Sequence, residues 1–259
     1  MLNHIEKLVL ADMTKEEVMM QEEQDINEEQ QVKQPKLRWL PLESNPDVLN
    51  KIIHENGVDS EWSFTDVLGF DNELLSLIPK PVAAIIFLFP GTKTQKEFLE
   101  KEESHLKIHE QNISPNLMYF KQTISNACGM MALLHSLANN DHLVGPGLFS
   151  KIIQDTRNMS PDERGEYLES CKELAELHDY SAHQGQTDTP ALEDLFTNHF
   201  ICFVQVDEHL YELDGSRAFP INHGKSVDLV QDAAKIMRQF IERDPNDNEY
   251  SAIAFTKTA

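Results

Sequence analysis

Lys121-Gln122-Thr123-Ile124-Ser125-Asn126-Ala127-Cys128-Gly129 runs straight into the apolar Met130-Met131-Ala132-Leu133-Leu134-His135. The pattern predicts a buried helix with Cys128 just inside its start, and Ser125 and Asn126 are residue types that cap such a helix. A thiol at that end feels the positive pole of the helix dipole, which favours the thiolate. Gln122, six residues upstream, carries a side-chain amide that can point at the same spot. Read functionally, this is a nucleophile with an oxyanion donor beside it. Read structurally, Cys128 is a small residue packed in a helix, the ordinary fate of a lone cysteine. The rest of the chain has to decide between the two.

The chain has 259 residues, 40% of them hydrophobic, enough for one large domain or two small ones. Asp and Glu number 44 against 22 Lys and Arg, giving a net charge of -22. That balance argues against nucleic acid and anionic membrane surfaces, which attract basic patches. It suits a basic partner segment, although solubility is the commoner reason for surface acid. Cys128, Cys171 and Cys202 match no metal spacing and are an odd number for a disulfide framework. Reduced thiols in a cytoplasmic, or also nuclear, protein are therefore expected. The N-terminus lacks the basic, apolar, small-residue order of a signal peptide. The longest apolar run, Val82 to Phe89, is far too short to span a bilayer and reads as a buried central strand.

Residues 1–36 are rich in Glu and Gln and contain no aromatic residue. Thr14 with Glu17 resembles a capping box, so a lone helix from Thr14 through Met20, or disorder, is expected there. From Leu37 to Ala259 the composition is that of a folded domain. Asn45-Pro46 opens a short helix that should stop near Gly57, Trp62 to Leu68 could be a strand, and Asp71 caps a helix through Leu77. Thr92 to about Gln111 reads as a surface helix, and Gly145-Pro146-Gly147 breaks the chain before a helix that ends at Arg157. Ser160-Pro161 starts a helix continuing to Leu177, with Cys171 on it as a structural residue. His178 to Pro190 is polar with little to pack, as lids often are. His178 and His183 in it lack the carboxylate and cysteine framework of a metal site. A helix from Asp228 to about Arg243 and a strand from Tyr250 to Thr256 close a mixed α/β or α+β domain with an antiparallel sheet packed by helices.

A nucleophilic cysteine needs a histidine to take its proton and a third group to orient that histidine. Phe200 to Val206 and His209 to Asp214 flank Asp207-Glu208 as a hairpin. With a two-residue turn, Val206 faces His209 and Ile201 faces Asp214. Side chains alternate with period two, so His199, Ile201 and Asp214 share one face, while His209 points away from Asp214. His199 is the base and Asp214 its orienter in this register; a slip of one residue would reverse the choice.

These stretches, with Arg38-Trp39-Leu40-Pro41-Leu42-Glu43 and Ala218-Phe219-Pro220-Ile221-Asn222-His223-Gly224, resemble the ubiquitin carboxyl-terminal hydrolase family of cysteine proteases (peptidase family C12), and within it the small isozyme L3 type. The likeness covers about Leu37 to Ala259. It implies a papain-like fold with a central antiparallel sheet between helices. Position by position it implies Cys128 as nucleophile, His199 as general base and proton donor, Asp214 as its orienter, and Gln122 with the Cys128 N–H as oxyanion hole. It makes the polar stretch from roughly Leu177 to Phe196 a crossover loop over the active site. Glu43, Asp47 and Asp66 match acidic positions that contact ubiquitin in relatives. Nothing carries over to residues 1–36. The resemblance implies a deubiquitinating hydrolase without metal or cofactor, a monomer, acting on small or flexible adducts of ubiquitin. Two alternatives stay open: a substrate that is the Nedd-type ubiquitin-like modifier, and a ubiquitin-binding protein whose hydrolysis is incidental.

Overall fold

The computed structural model describes residues 37–109, 111–186 and 198–258. The expected helix at Thr14 to Met20 and residues 187–196 of the expected crossover loop lie outside them. Six strands form one antiparallel sheet: β1 (Trp62–Asp66), β2 (Val82–Pro90), β3 (Asn198–Val206), β4 (His209–Leu213), β5 (Ile221–Lys225) and β6 (Ser251–Lys257). Their order across the sheet is β1-β6-β2-β3-β4-β5. The apolar β2 is an inner strand, as its unbroken hydrophobic run requires, since both of its faces are covered.

Alternation along the inner strands divides the interior in two. Ala84, Ile86, Phe200, Cys202 and Val204 face one core, with helices α1 (Pro46–Glu55), α4 (Cys128–Ala138), α5 (Leu148–Thr156) and α6 (Pro161–Ser170). Ile85, Phe87, Phe89, Ile201 and Phe203 face the other, under α8 (Leu229–Arg243) with α2 (Asn72–Leu75). Among the described residues the other α-helices are α3 (Lys93–Ile108), on the surface and capped by Thr92, and α7 (Lys172–Ala182). Asn45, Asp71 and Asp228 cap α1, α2 and α8, the first two as the sequence predicts.

α4 is the buried spine of the larger core. Every residue from Gly129 to Ala138 is buried. Each fully buried leucine on it contributes about 1.5–3 kcal/mol, which is why this apolar run takes an interior position. The β3–β4 hairpin has the expected register, with Val206 opposite His209 and Cys202 opposite Leu213. Asp207 and Glu208 both have positive φ (48° and 62°), the two-residue turn whose twist matches paired strands.

The elements differ from the sequence reading at three points. The helix predicted from Ser160 to Leu177 is two helices, α6 and α7, parted at Cys171, whose ψ of 89° is not helical. Leu168 and Leu174 are both buried. In one straight helix, at about 100° per residue, they would point about 120° apart, and the break turns both to the core. The lid does not begin at His178, because α7 continues to Ala182. Finally, β5 was not foreseen: only Ile221 in it is buried, so no alternation marked it.

Candidate active site

Cys128 is the first residue of α4, half-buried at the helix N-terminus. The expected caps do not form. The capping position belongs to Ala127, and no side-chain cap bond is made there. Asn126 has a left-handed backbone (φ 63°), and its Nδ2 donates to the Trp39 carbonyl at 3.1 Å. Ser125 pairs instead with the entering segment, through Ser125 N to Leu37 O (2.9 Å) and Trp39 N to Ser125 O (3.0 Å). With no side chain capping the helix, its first N–H groups keep their pull on negative charge beside the thiol.

His199 and Asp214 come from the neighbouring hairpin. His199 lies early in β3 opposite Phe89, whose ring meets the imidazole edge-on at 5.7 Å between centroids. Asp214 follows the last residue of β4. The His199 Nε2 is 2.7 Å from the Asp214 Oδ1, with the carboxylate buried. Nδ1 is therefore the ring nitrogen left for the thiol. Gln122 and the turn after β4 are joined through Gln122 N to Gly215 O at 2.7 Å. A Cβ on Gly215 would come to 3.0 Å from the Gln122 Cβ, so a larger residue would push the two segments apart by a few tenths of an ångström. Gln122, Cys128, His199 and Asp214 line one cleft of about 640 Å³.

The charges in that cleft support one another. Burial pushes the Cys128 thiol up, but the hydrogen bond to His199 and the charge of its ring outweigh it, and the thiol lies below its ordinary value. Burial pushes His199 down; the charge and hydrogen bond of Asp214, then the thiol, carry it well above its ordinary value. Burial likewise raises Asp214, yet His199 and Ser216 hold it at about 2. Cys202, buried with no such partner, has its thiol pushed up to about 12 by desolvation. Of the two, only Cys128 has the environment of a thiolate–imidazolium pair.

Residues 39–242 match the family described as ubiquitin carboxyl-terminal hydrolase, family 1. The chain belongs to this family. A ubiquitin carboxyl-terminal hydrolase of Drosophila melanogaster is 41% identical over 223 residues, which is 85% of this chain and 98% of the relative. The human ubiquitin carboxyl-terminal hydrolase isozyme L1 is 40% identical over 228 residues, 86% of this chain and all of the relative. The fold resembles that of the Trichinella spiralis UCH37 catalytic domain, solved bound to ubiquitin vinyl methyl ester. The TM-score is 0.67 and the identity 24%, over 85% of this chain and 96% of that one. The isozyme relative carries the L1 name, so the L3 likeness stays a reading of the sequence.

Around this ubiquitin carboxyl-terminal hydrolase site, the acidic positions differ in setting. Glu43 lines the cleft, and its Oε2 accepts from Gln186 N at 2.7 Å. Asp47, in the first turn of α1, and Asp66, at the end of β1, are exposed. His178 is not a loop residue: its ring is buried, 4.3 Å from the Trp39 ring, with Nε2 2.6 Å from the Leu40 carbonyl. His183 sits at the C-terminal cap of α7 and bonds the Asp179 carbonyl, so the two histidines do not form a pair. His209 bonds the Asn222 side chain at 3.1 Å, on the β4–β5 side of the sheet.

Sequence reasoning overlooked two residues. Tyr119 is buried, with its hydroxyl 2.6 Å from the Asp214 carbonyl and 2.7 Å from the Arg217 carbonyl. No pattern in the sequence marked it. Ser216 donates to Asp214 Oδ1 from its backbone N–H (2.8 Å) and its hydroxyl (2.7 Å). Its signal was legible: a serine two residues after an aspartate is the spacing of an Asx turn.

Proposed function

We propose that this chain is a ubiquitinyl hydrolase, releasing small or flexible groups from the C-terminal glycine of ubiquitin through an acyl-enzyme on Cys128. The observation that carries this is Cys128 at the N-terminus of α4, in one cleft with the hydrogen-bonded His199–Asp214 pair. The Cys128 thiolate attacks the glycine carbonyl. Gln122 and the Cys128 N–H stabilise the oxyanion, at about 3 kcal/mol for a donor of this kind. His199 protonates the leaving amine or thiol, then takes a proton from the water that releases ubiquitin. Asp214 holds the ring in the useful tautomer and stabilises its charge.

Glu43, Asp47 and Asp66 supply negative charge for a basic substrate tail, adding steering more than affinity. The Nedd-type modifier is the second substrate of this reading, to be compared with ubiquitin by side-by-side rates. The working form is the monomer, measurable by sedimentation. Free thiols on all three cysteines suit a cytoplasmic protein. The deciding experiment measures turnover of a ubiquitin fluorogenic amide by wild type and Cys128→Ala. Turnover by wild type, lost in the variant with binding retained, is expected. A silent wild type that binds ubiquitin tightly would refute hydrolysis and leave a ubiquitin-binding protein.

A further inference from the structure

The Asp214 carboxylate carries an uneven load. Its Oδ1 accepts three hydrogen bonds, from His199 Nε2 (2.7 Å), Ser216 N (2.8 Å) and Ser216 Oγ (2.7 Å). A carboxylate oxygen in this arrangement cannot turn about its side-chain torsions without breaking all three at once. The turn that carries Ser216 is itself fixed on both sides. Gln122 N holds the Gly215 carbonyl at 2.7 Å, and the Tyr119 hydroxyl lies against the Asp214 and Arg217 carbonyls. The Arg217 Nη2 anchors the turn's far end to Glu102 on α3 (2.6 Å) and to Glu212 on β4 (3.2 Å). Ser216 is the exposed member of this turn and lines the cleft, while Asp214, Gly215 and Arg217 are buried.

We propose that Ser216 is a positioning residue, whose hydroxyl locks the Asp214 carboxylate in the rotamer that orients His199. The inference rests on the hydrolase reading above. The hydroxyl touches neither the thiol nor the imidazole in the hydrogen bonds observed, so it acts through Asp214. Its backbone N–H makes the same bond in any substitution except proline, so the side chain sets the part of the effect that mutation can remove. Because Ser216 is exposed and packs nothing into either core, its replacement should leave the fold intact.

The test measures kcat and KM separately on the ubiquitin fluorogenic amide, with thermal unfolding as a control. Ser216→Ala should lower kcat roughly three- to tenfold with KM unchanged, since one charge-assisted bond of an exposed hydroxyl is lost. Ser216→Thr, which keeps the hydroxyl, should restore most of that loss. In an Asp214→Ala background, Ser216→Ala should cost nothing further, because the group it holds is gone. A purely structural role would instead add its cost in both backgrounds and lower the unfolding temperature. An unchanged kcat in Ser216→Ala, a loss that appears only in KM, or full additivity with Asp214→Ala would each overturn the proposal. An active wild type with an indifferent Ser216→Ala sinks this inference alone, whereas an inactive wild type sinks the reading beneath it.

Discussion

Replacing Asp214 by asparagine isolates the charge in the His199–Asp214 pair. The amide keeps the size of the carboxylate and an oxygen that can accept from the ring, but loses the negative charge. The bonded atoms are 2.7 Å apart, which puts the charge centres about 4 Å apart. At an effective dielectric of about 20 their attraction is about 4 kcal/mol. The asparagine hydrogen bond retains part of it, leaving a loss of about 2 kcal/mol, a factor of about thirty in kcat/KM. The side chains are 21% and 1% exposed, so solvent screens little of this. The same loss lowers His199 toward its ordinary value, so the ring is neutral at pH values where wild type holds it charged. The thiol then loses its cationic partner, and its titration moves up. Two assays read this: hydrolysis of the ubiquitin fluorogenic amide, and the pH dependence of Cys128 alkylation by iodoacetamide. In wild type the alkylation midpoint should lie below that of an ordinary thiol, and in Asp214→Asn it should rise toward it. An unchanged midpoint with kcat/KM within about twofold of wild type would refute the ion-pair account.

Gln122→Ala should lower kcat about a hundredfold with KM little changed, as expected for a donor used only in the transition state; an effect confined to KM would make Gln122 a substrate contact. His199→Gln should cost more than about a hundredfold in kcat, and His209→Gln no more than a few fold, because His209 bonds Asn222 on the other side of the hairpin; equal losses would mean that His199 is not the base. His178 should make stability depend on pH. Burial holds it at about 4, below its unfolded value, so the unfolded chain binds more protons between pH 6.5 and 4. The share of stability that the neutral His178 ring contributes is then full above about pH 6.5 and falls by about 3 kcal/mol as pH drops to 4, and buried His135, also held at about 4, adds a similar loss. Urea unfolding midpoints across that range check it, and His178→Gln should flatten the slope; an unaltered slope would place the proton uptake elsewhere.

The candidate site was legible because each of its parts is a local pattern. The hairpin register follows from a two-residue turn and alternation, and it is the register observed, with Val206 opposite His209. The apolar run after Cys128 marked a buried helix, and α4 is that helix. The same local logic failed where distant contacts outweigh propensity. Ser125 and Asn126 had the chemistry of caps, but the Trp39 carbonyl takes the Asn126 side chain, and backbone pairing with Leu37 and Trp39 fixes Ser125 in a bridge ahead of the capping position. The helix from Ser160 breaks at Cys171 so that Leu168 and Leu174 both reach the core. His178 sat in a polar stretch, and only Trp39 and Leu40, far away in sequence, show why it is buried.

The sequence alone determined the helix that opens on Cys128, the hairpin face shared by His199 and Asp214, and the antiparallel sheet that carries them. These depend on periodicity and turn chemistry within a few residues. The tertiary structure decided how closely the parts meet: Gln122 against Gly215, the ring of His199 against Phe89, and three donors gathered on one oxygen of Asp214. Such distances depend on how two cores pack against opposite faces of one sheet, and no local window of sequence contains both faces.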